Sequence, residues 1–435
     1  MATRFVNIDR DTPLLLPPSL HEWVEQDDLV HFIIDSLETM NLSTAVVNER
    51  GTGDREYPPA MMLALLIYCY AQGIFSSRKI ERATYQHVSV RYLAANYHPD
   101  HDTIAEFRRK NGALIKQVFV ELLRLSRELG LLKLGQIAID GTKIAAATTK
   151  RSTLTYRQLQ EELAQVQGRV ETLLQQAQAA DQQEQSSELP QELLDAQQRR
   201  EKLRAAKARL QEQTRQAHEQ REAERKDLEG TGNKPGPLPR EPRPDATINL
   251  TDPESTITPT AKDGFIQGFN AQVAVATEGG LIVAAEVVRA TNDIQQLEPM
   301  VSQCVDNGCK PQRVLVDTGY ENIRQIREVA RNFGVKTLCP PARIANARDD
   351  QPGGRPHRRM SKRMRRRMRA QLNTKRGRQL YRLRGTTVEP AVGIIKSALG
   401  FRQFSLGGLA NVRTEWTLLA LAFNCKRLAG RKRLA

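Results

Sequence analysis

The sequence predicts a mixed α/β fold, with an all-helical region in front of it and a long helical hairpin inserted into it. Residues 1–130 carry helix signals alone, whereas strand patterns begin at residue 136 and return after residue 268. The stretch 154–229 between them is rich in Gln, Glu and Arg and has a helical period. Strands and helices that alternate along a chain pack as a sheet flanked by helices, because each element has one apolar face to bury.

The composition excludes several classes of protein. The chain has 435 residues, 40% of them hydrophobic, so it is long enough for about three domains with real cores. Its longest apolar run is too short for a membrane span, and its first residues show no secretory pattern. Five cysteines without a CxxC pair favour free thiols over a zinc site. A cytoplasmic protein without a membrane partner is expected.

The net charge of +15 is concentrated in one segment. Residues 355–384 hold fourteen Lys and Arg and no Asp or Glu, which leaves the rest of the chain near +1. Methionines at 360, 364 and 368 recur every four residues, so a helix here would be amphipathic and strongly cationic. The pattern alone fits a membrane surface, a calmodulin-like groove or nucleic acid. The candidate contacts to a nucleic acid in this segment are Arg365, Arg366 and Arg367.

The N-terminal region predicts a series of short helices. A Pro-Pro pair is tolerated in the first turn of a helix over 58–70, which Gly73 ends. Ser76 or Ser77 can cap a second helix through His87, and Asp102 is a candidate cap for a third.

The third helix carries Arg108, Arg109 and Lys110 after a short turn. One interpretation is a helix-turn-helix that contacts DNA, with Arg108 and Arg109 as contacts. The other is a helical bundle with a solvated basic face, and these residues alone leave both interpretations open.

The first strand of the sheet is predicted from Gln136 to Asp140, where apolar residues alternate. Asp140-Gly141 is a strong turn pair, so the residues from Lys143 to Ala146 are expected to return as a second short strand. The helical insertion would follow directly.

The insertion reads as two helices. Leucines and valines at 159, 163, 166, 170 and 173 step by four and three, which is the seam of a coiled coil. A polar break at 181–190 separates this run from a second one, so an antiparallel hairpin about 40 Å long is predicted. The alternative is that the segment mediates dimerisation.

After a Pro- and Gly-rich linker at 230–244, the strand period returns. Strands at 269–276 and 281–288 are joined by a tight turn and form a hairpin. The later elements are predicted in the order helix 293–307, strand 313–317, helix 321–332, strand 335–338, the basic segment, and helices 389–399 and 415–427. A site is expected where strand ends meet a helix.

Three carboxylates could form that site. Asp140 and Asp317 each end an Ile/Val strand, and Glu389 lies near the start of a later predicted helix. Aspartate is also a common turn residue, which is the plain alternative for each strand end. Three carboxylates are the oxygen ligands that Mg²⁺ prefers, and two such ions can serve an in-line phosphoryl transfer.

Several segments occur in an order that resembles one family, the bacterial insertion-sequence transposases of the DDE type. The segments are Ile137-Ala-Ile-Asp-Gly-Thr-Lys143, Thr251-Asp-Pro-Glu-Ser255, Gln267-Gly-Phe-Asn-Ala-Gln272, Val316-Asp-Thr-Gly-Tyr-Glu321, Val388-Glu-Pro-Ala-Val-Gly-Ile-Ile-Lys396, 401–411 and Glu415-Trp416. Residues 57–111 are similar to the helical N-terminal domain of the family. The resemblance covers most of the chain and is weakest over the hairpin.

The resemblance implies a ribonuclease H-like fold in which Asp140, Asp317 and Glu389 are the catalytic, metal-binding triad. It implies two Mg²⁺ ions, for which Mn²⁺ can substitute. It also implies a Tyr-Arg-Glu-Lys signature, matched here by Tyr381, Arg384, Glu389 and Lys396, although four residues separate the Arg from the Glu where the usual pattern has three. Lys396 lies seven residues after Glu389, so on a regular helix both would share one face and Lys396 could contact a DNA phosphate.

The resulting division is a DNA-binding domain at 1–130 and a catalytic domain at 131–435, interrupted by the hairpin and linker at 150–245 and the basic segment at 343–380. The expected function is a transposase that binds the inverted-repeat ends of an insertion sequence, cuts them and joins them to target DNA. The alternatives are a metal-dependent nuclease without joining activity and a catalytically silent DNA-binding or repressor protein. A homodimer is expected because two ends must be brought together, and the bacterial nucleoid is the expected location.

Overall fold

The computed structural model describes residues 19–47, 56–181, 191–227, 236–260, 264–341 and 361–432. The N-terminal region is helical, as predicted. Its helices are α1 (Leu20–Trp23), α2 (Leu29–Glu38), α3 (Pro59–Ala71), α4 (Ser77–Gln86), α5 (Val88–Leu93), α6 (His101–Lys110) and α7 (Gly112–Glu128). The cap of α6 is Asp100 and not Asp102, because the Asp100 side chain accepts from two backbone N–H groups of the first turn.

Strands and helices then follow in the predicted alternation. They are β1 (Lys133–Ala145), β2 (Thr153–Thr155), α8 (Tyr156–Asp181), α9 (Gln191–Asp227), β3 (Thr247–Asn249), β4 (Thr256–Thr260), β5 (Gly264–Glu278), β6 (Ile282–Val288), α10 (Leu297–Asp306), β7 (Arg313–Leu315), α11 (Ile323–Phe333), β8 (Lys336–Leu338), α12 (Lys362–Asn373), α13 (Lys375–Gly393) and α14 (Leu409–Lys432). A π-helical turn at Ile394–Ala398 continues α13. None of the helices described is long and apolar enough to cross a membrane.

The central sheet is mixed. Its strands lie in the order β4-β5-β1-β7-β8, and β6 pairs with β5 on the same side as β4. The pairs β1–β5 and β5–β6 are antiparallel, whereas β7 is parallel to β1 and β8 is parallel to β7. The short β4 also pairs with β5 in the antiparallel sense. The long antiparallel strands β1, β5 and β6, with two parallel strands at one side, are the arrangement that the resemblance implies.

The prediction of a turn at Asp140-Gly141 is wrong. β1 continues through both residues, and its partner β5 pairs with it without interruption from Ile137 to Ala145. A neighbouring strand of 15 residues offers this pairing along its whole length, so the tertiary ladder overrides the local turn preference of the Asp-Gly pair. Asp140 therefore lies inside a strand, beyond the point where the shorter β7 ends.

The N-terminal helices and the sheet share one hydrophobic core. Helix α14 connects them, because it packs against α3 and α7 on one side and against β6 on the other. Leu63 of α3, Val283 of β6 and Leu418 of α14 belong to the same buried cluster. The described helices α2, α3 and α7 thus contribute buried residues to the same cluster as the sheet.

The insertion is the predicted antiparallel hairpin. Near its base, Leu159 and Leu163 of α8 pack with Leu210 of α9, and further out Val170 packs with Leu193. The turn between the helices, 182–190, lies outside the described residues. At 26 residues, α8 is about 39 Å long.

Polar contacts attach the base of the hairpin to the segments next to β4 and β6. Arg209 pairs with Glu254 at 2.9 Å, and Arg289 after β6 donates to Gln213 at 3.0 Å. The base of the hairpin is therefore held next to β4 by these contacts.

The basic segment is helical where the structure describes it. Met368 of α12 is buried and Met364 packs against the core, while most of the arginines between them point outward. Met360 lies outside the described residues. The predicted amphipathic character is confirmed for the remaining two methionines.

Candidate active site

The two aspartates of the predicted triad are brought together by the parallel pairing of β1 and β7. Ala138 lies opposite Leu315, and two residues further along each chain are Asp140 and Asp317. β7 has ended by then, so Asp317 begins a short turn in which its Oδ1 accepts from the N–H of Gly319 at 2.9 Å. Both carboxylates thus lie at the carboxyl end of β7.

Glu389 reaches this place from α13. The sequence placed Glu389 near the start of a helix, which is wrong, because α13 begins at Lys375 and Glu389 lies close to its end. The helix packs against β1 and β5. Five residues earlier on the same helix, Arg384 points at the strand ends.

Arg384 holds the three carboxylates around one guanidinium group. Its Nη2 lies 3.0 Å from Asp140 Oδ1 and 3.7 Å from Asp317 Oδ2, and its Nη1 lies 3.0 Å from Glu389 Oε1. The Arg384 side chain is 12% exposed, whereas Glu389 is 58% exposed. The site is therefore a cluster of three carboxylates around the Arg384 guanidinium, and it is open to solvent on the Glu389 side.

The cluster shifts the ionisation of its members. Burial raises the pKa of Asp140 to about 6; the Arg384 guanidinium opposes this rise and the Asp317 carboxylate adds to it. For Arg384, burial lowers the pKa, but the carboxylates of Asp140 and Asp317 more than offset it and the pKa of the guanidinium is raised. Arg384 thus stays charged and is the counter-ion of the triad.

The donor chemistry of the site fits a divalent cation. All three acidic side chains offer oxygen, and their convergence already accommodates positive charge. In the part of the chain that the structure describes, however, no three acidic, His or Cys side chains stand close enough together to hold one ion. Because Arg384 lies between the carboxylates, it would have to move aside before they could share a metal.

The other signature residues lie around the triad. Tyr381 lines a cavity of about 510 Å³ together with Arg378, Arg384 and Glu389. Lys396 lies on the π-helical turn, and its Nζ donates to Thr142 Oγ1 at 3.1 Å and to the carbonyl of Lys143 at 3.0 Å. The expectation of a regular helix between Glu389 and Lys396 is wrong, and the ammonium group contacts β1 just beyond Asp140.

The interpretation of Arg108 as a DNA contact is wrong. The residue is 2% exposed, and its guanidinium donates to the carbonyl of Phe75 at 3.0 Å and to the Tyr70 hydroxyl. Tyr70 in turn donates to Glu415 Oε1 at 2.9 Å. A buried cation needs such partners, so Arg108 is part of the core, while the adjacent Arg109 is exposed.

The basic residues of α12 divide in the same way. Arg366 and Arg367 are exposed, whereas Arg365 is 13% exposed and pairs with the buried Glu321 at 3.3 Å. Glu321 lies four residues after Asp317 in sequence. Arg365 therefore attaches the basic helix to the loop that carries the second aspartate.

Sequence reasoning missed two charged residues beside the triad, Asp293 and Lys143. Asp293 was predicted to begin a helix, but α10 begins at Leu297 and Asp293 lies in the segment before it. Its Oδ1 lies 3.9 Å from Lys143 Nζ. The only sequence signal was an acidic residue after a strand, which turns commonly contain.

The order of the sheet and the carboxylates at its strand ends define a ribonuclease H-like fold of the kind found in nucleic-acid enzymes. Comparison with protein families gives two matches, "Transposase DDE domain" over residues 242–425 and "Transposase domain (DUF772)" over residues 18–110. No curated protein and no solved structure gives a match. The chain belongs to the DDE transposases of insertion sequences, which act on DNA and use divalent metal ions.

Proposed function

We propose that this protein binds the inverted-repeat ends of an insertion sequence, cuts the DNA there and joins the freed ends to target DNA. The observation that carries the proposal is the convergence of Asp140, Asp317 and Glu389 on one guanidinium at the carboxyl end of β7. The three carboxylates lie far apart in sequence, and the fold brings them together from β1, the end of β7 and helix α13. The family matches on both sides of the site support the same function.

Asp140, Asp317 and Glu389 would hold two Mg²⁺ ions, with Mn²⁺ as a substitute. When bound, such ions activate an attacking water or 3′-hydroxyl and stabilise the leaving oxygen of an in-line phosphoryl transfer. The triad supplies the negative charge and the oxygen ligands, and needs no nucleophilic side chain. Arg384 and Lys396 supply the positive charge next to it, where the phosphate of the cleaved strand would lie.

The DNA backbone would follow the exposed cations around this site. Arg366 and Arg367 of α12 and Arg109 of α6 are exposed, and Tyr381 lines the cavity next to Glu389. Phosphate contacts of this kind position a duplex without reading its sequence. Which base pairs are recognised would depend on other contacts.

The test uses purified protein and a linear DNA that carries its gene with several hundred flanking bases. The 3′ ends are mapped at nucleotide resolution in Mg²⁺, in EDTA and with the Glu389→Gln protein, and joined products are then sought on a supercoiled target. Metal-dependent cuts at paired inverted repeats, followed by joining, are expected. Cuts without joining would indicate a nuclease, and binding without cuts in any divalent metal would indicate a silent DNA-binding protein.

Replacing Arg384 with Gln should tighten divalent metal binding in the absence of DNA by about tenfold, a difference of about 1.4 kcal/mol. The reason is that the ion would no longer compete with a guanidinium that lies within 4 Å of all three carboxylates. Titration calorimetry with Mn²⁺ measures the affinity. The control is Arg376→Gln, an exposed position on the same helix outside the cavity lined by Glu389, and weaker binding by Arg384→Gln would contradict the prediction.

Replacing Arg366 and Arg367 together with Ala should weaken DNA binding on specific and unrelated sequences alike. Each lost phosphate contact is expected to lower the slope of log affinity against log salt by about 1. Fluorescence anisotropy over a range of salt concentrations measures both quantities. The control variant removes Lys310 and Lys336, two exposed cations, and an unchanged salt slope in the arginine variant would exclude these contacts.

The active assembly would be a homodimer on two DNA ends, located at the bacterial nucleoid with its DNA partner. One protein copy per end is the simplest way to bring both ends to one target. Light scattering of the protein bound to short end-sequence duplexes gives the number of copies, and a monomer holding both ends would contradict the dimer.

A further inference from the structure

A second polar cluster lies directly beside the triad. Asp293, in the segment between β6 and α10, accepts from two amide groups of β5, Asn270 Nδ2 at 2.8 Å and Gln272 Nε2 at 2.6 Å. Gln272 also donates to Asn270 at 3.0 Å and accepts from the Tyr320 hydroxyl. All these bonds are held by residues that are themselves largely buried, so the Asp293 carboxylate has a fixed orientation.

The absence of a side chain at Gly141 leaves room for the Asp293 carboxylate. A Cβ atom at Gly141, the residue after Asp140, would overlap both Asp293 Oδ1 and Gln272 Nε2. The other oxygen, Oδ2, would lie 3.7 Å from a Cβ at Gly319, and Asp317 Oδ1 would lie 3.0 Å from the same atom. The Asp293 carboxylate therefore lies between the residue that follows the first catalytic aspartate and the turn that follows the second.

The partner of Asp293 is the ammonium group of Lys143. This nitrogen is buried and, in the described part of the chain, has no hydrogen-bond acceptor; its ion-pair contact is Asp293 Oδ1 at 3.9 Å. Burial lowers the pKa of Lys143, and the carboxylates of Asp293, Asp140 and Asp317 oppose this. Lys143 follows Asp140 by three residues on β1, so its ion pair with Asp293 lies next to the strand segment that carries the first aspartate.

We propose that Asp293 is a positioning residue of the cleavage site: anchored by Asn270 and Gln272 and paired with Lys143, its carboxylate fills the space over Gly141 and beside Gly319 and so keeps the backbone that carries Asp140 and Asp317 in place for a metal ion. The proposal rests on the proposed function of the triad. Four carboxylates then have ion-pair contacts with Arg384 or Lys143. Lys143 lies on β1, whereas Arg384 lies on helix α13, so the two cations reach the cluster from different elements.

The test is the isosteric variant Asp293→Asn, studied in the full-length protein with Mn²⁺ as the probe. Groups that orient metal ligands typically contribute a factor of about 10–100 to metal affinity or activity. We expect Mn²⁺ affinity without DNA to fall about tenfold, and the Mn²⁺ concentration for half-maximal cleavage to rise by a similar factor. DNA affinity and the cleavage rate at saturating Mn²⁺ should change by less than about threefold. A variant that failed to fold would lose DNA affinity and cleavage together with metal affinity, so this pattern excludes misfolding as the cause.

Two further variants sharpen the test. The double variant Lys143→Met with Asp293→Asn should lose about as much Mn²⁺ affinity as the more affected single variant. Its loss should not exceed the sum of the two single losses, because both residues act through one ion pair. Asp252→Asn is the control, since Asp252 is a buried aspartate that accepts backbone N–H groups of Glu254 and Gly408. It should lower thermal stability and leave the Mn²⁺ dependence unchanged.

The outcomes separate this proposal from the proposed function. If the wild-type protein binds Mn²⁺ and cuts DNA while Asp293→Asn shows the same Mn²⁺ affinity, the positioning role is wrong and the transposase function stands. If the wild-type protein binds Mn²⁺ but does not cut, a tenfold weaker affinity in the variant still supports the positioning role. If the wild-type protein neither binds Mn²⁺ nor cuts, both are wrong.

Discussion

Replacing Asp140 with Asn is expected to reduce DNA cleavage by at least about a thousandfold, a rise of about 4 kcal/mol in the activation free energy. Asparagine has the shape of aspartate but lacks its charge and one of its two anionic oxygens, so it cannot ligate a hard divalent cation in the same way. Arg384 would keep its contacts with Asp317 and Glu389, and the fold should persist. Single-turnover cleavage of a labelled end duplex in Mg²⁺ measures the effect.

The control for this change is Asp306→Asn, at the exposed end of α10 away from the strand ends. It should cut at the wild-type rate. DNA affinity of the Asp140 variant, measured by anisotropy, should stay within about threefold of wild type or increase slightly, because one negative charge near the DNA is lost. A residual rate above a tenth of the wild-type rate would remove Asp140 from the catalytic triad.

Replacing Glu415 with Gln is expected to lower the free energy of unfolding by about 3–5 kcal/mol. Glu415 is fully buried, receives the Tyr70 hydroxyl and the backbone N–H groups of Ser405 and Leu406, and lies 3.7 Å from the buried Arg108. Its loss leaves Arg108 charged in the core without its counter-ion. Because the network joins α3, α6 and α14, the N-terminal helices should loosen from the sheet first.

Denaturant unfolding followed by circular dichroism measures this loss. The double variant Arg108→Met with Glu415→Gln should be less destabilised than the sum of the two single variants, because the two charges act on each other. Glu128→Gln is the control, since Glu128 pairs with Arg124 on the surface and should cost less than about 1 kcal/mol. An equal loss from both glutamates would contradict a special role of the buried pair.

The sequence predicts this fold well where local periodicity decides the structure. The seam of leucines and valines in 154–173 predicts α8 and its pairing with α9, because each apolar stripe needs a partner of the same period. The hairpin of β5 and β6 follows in the same way from alternation and a glycine turn. The ordered motifs of the family also name the three carboxylates that the structure then brings to Arg384.

Local sequence patterns predict the wrong secondary structure where a segment distant in sequence pairs with the residues concerned. Asp140-Gly141 has the chemistry of a turn, but β5 pairs with it and makes it the middle of a strand. Glu389 follows residues 375–388, into which the four-residue spacing of the methionines does not continue, so the first turns of α13 went unrecognised. At Asp140-Gly141 the turn preference of two residues is smaller than the free energy of the tertiary pairing that opposes it.

The role of a charged residue is the part that only the tertiary structure decided. Arg108 and Arg109 are neighbours of one type, yet Arg108 is in the core because Glu415, more than 300 positions later, neutralises it there, while Arg109 faces solvent. The Asp293 carboxylate fits beside the triad because Gly141, on β1, has no side chain there. Residue type and period determined by themselves which elements form and which chemistry the chain contains. Which charges meet depends on desolvation and on partners brought from afar, and these exist only once the chain has folded.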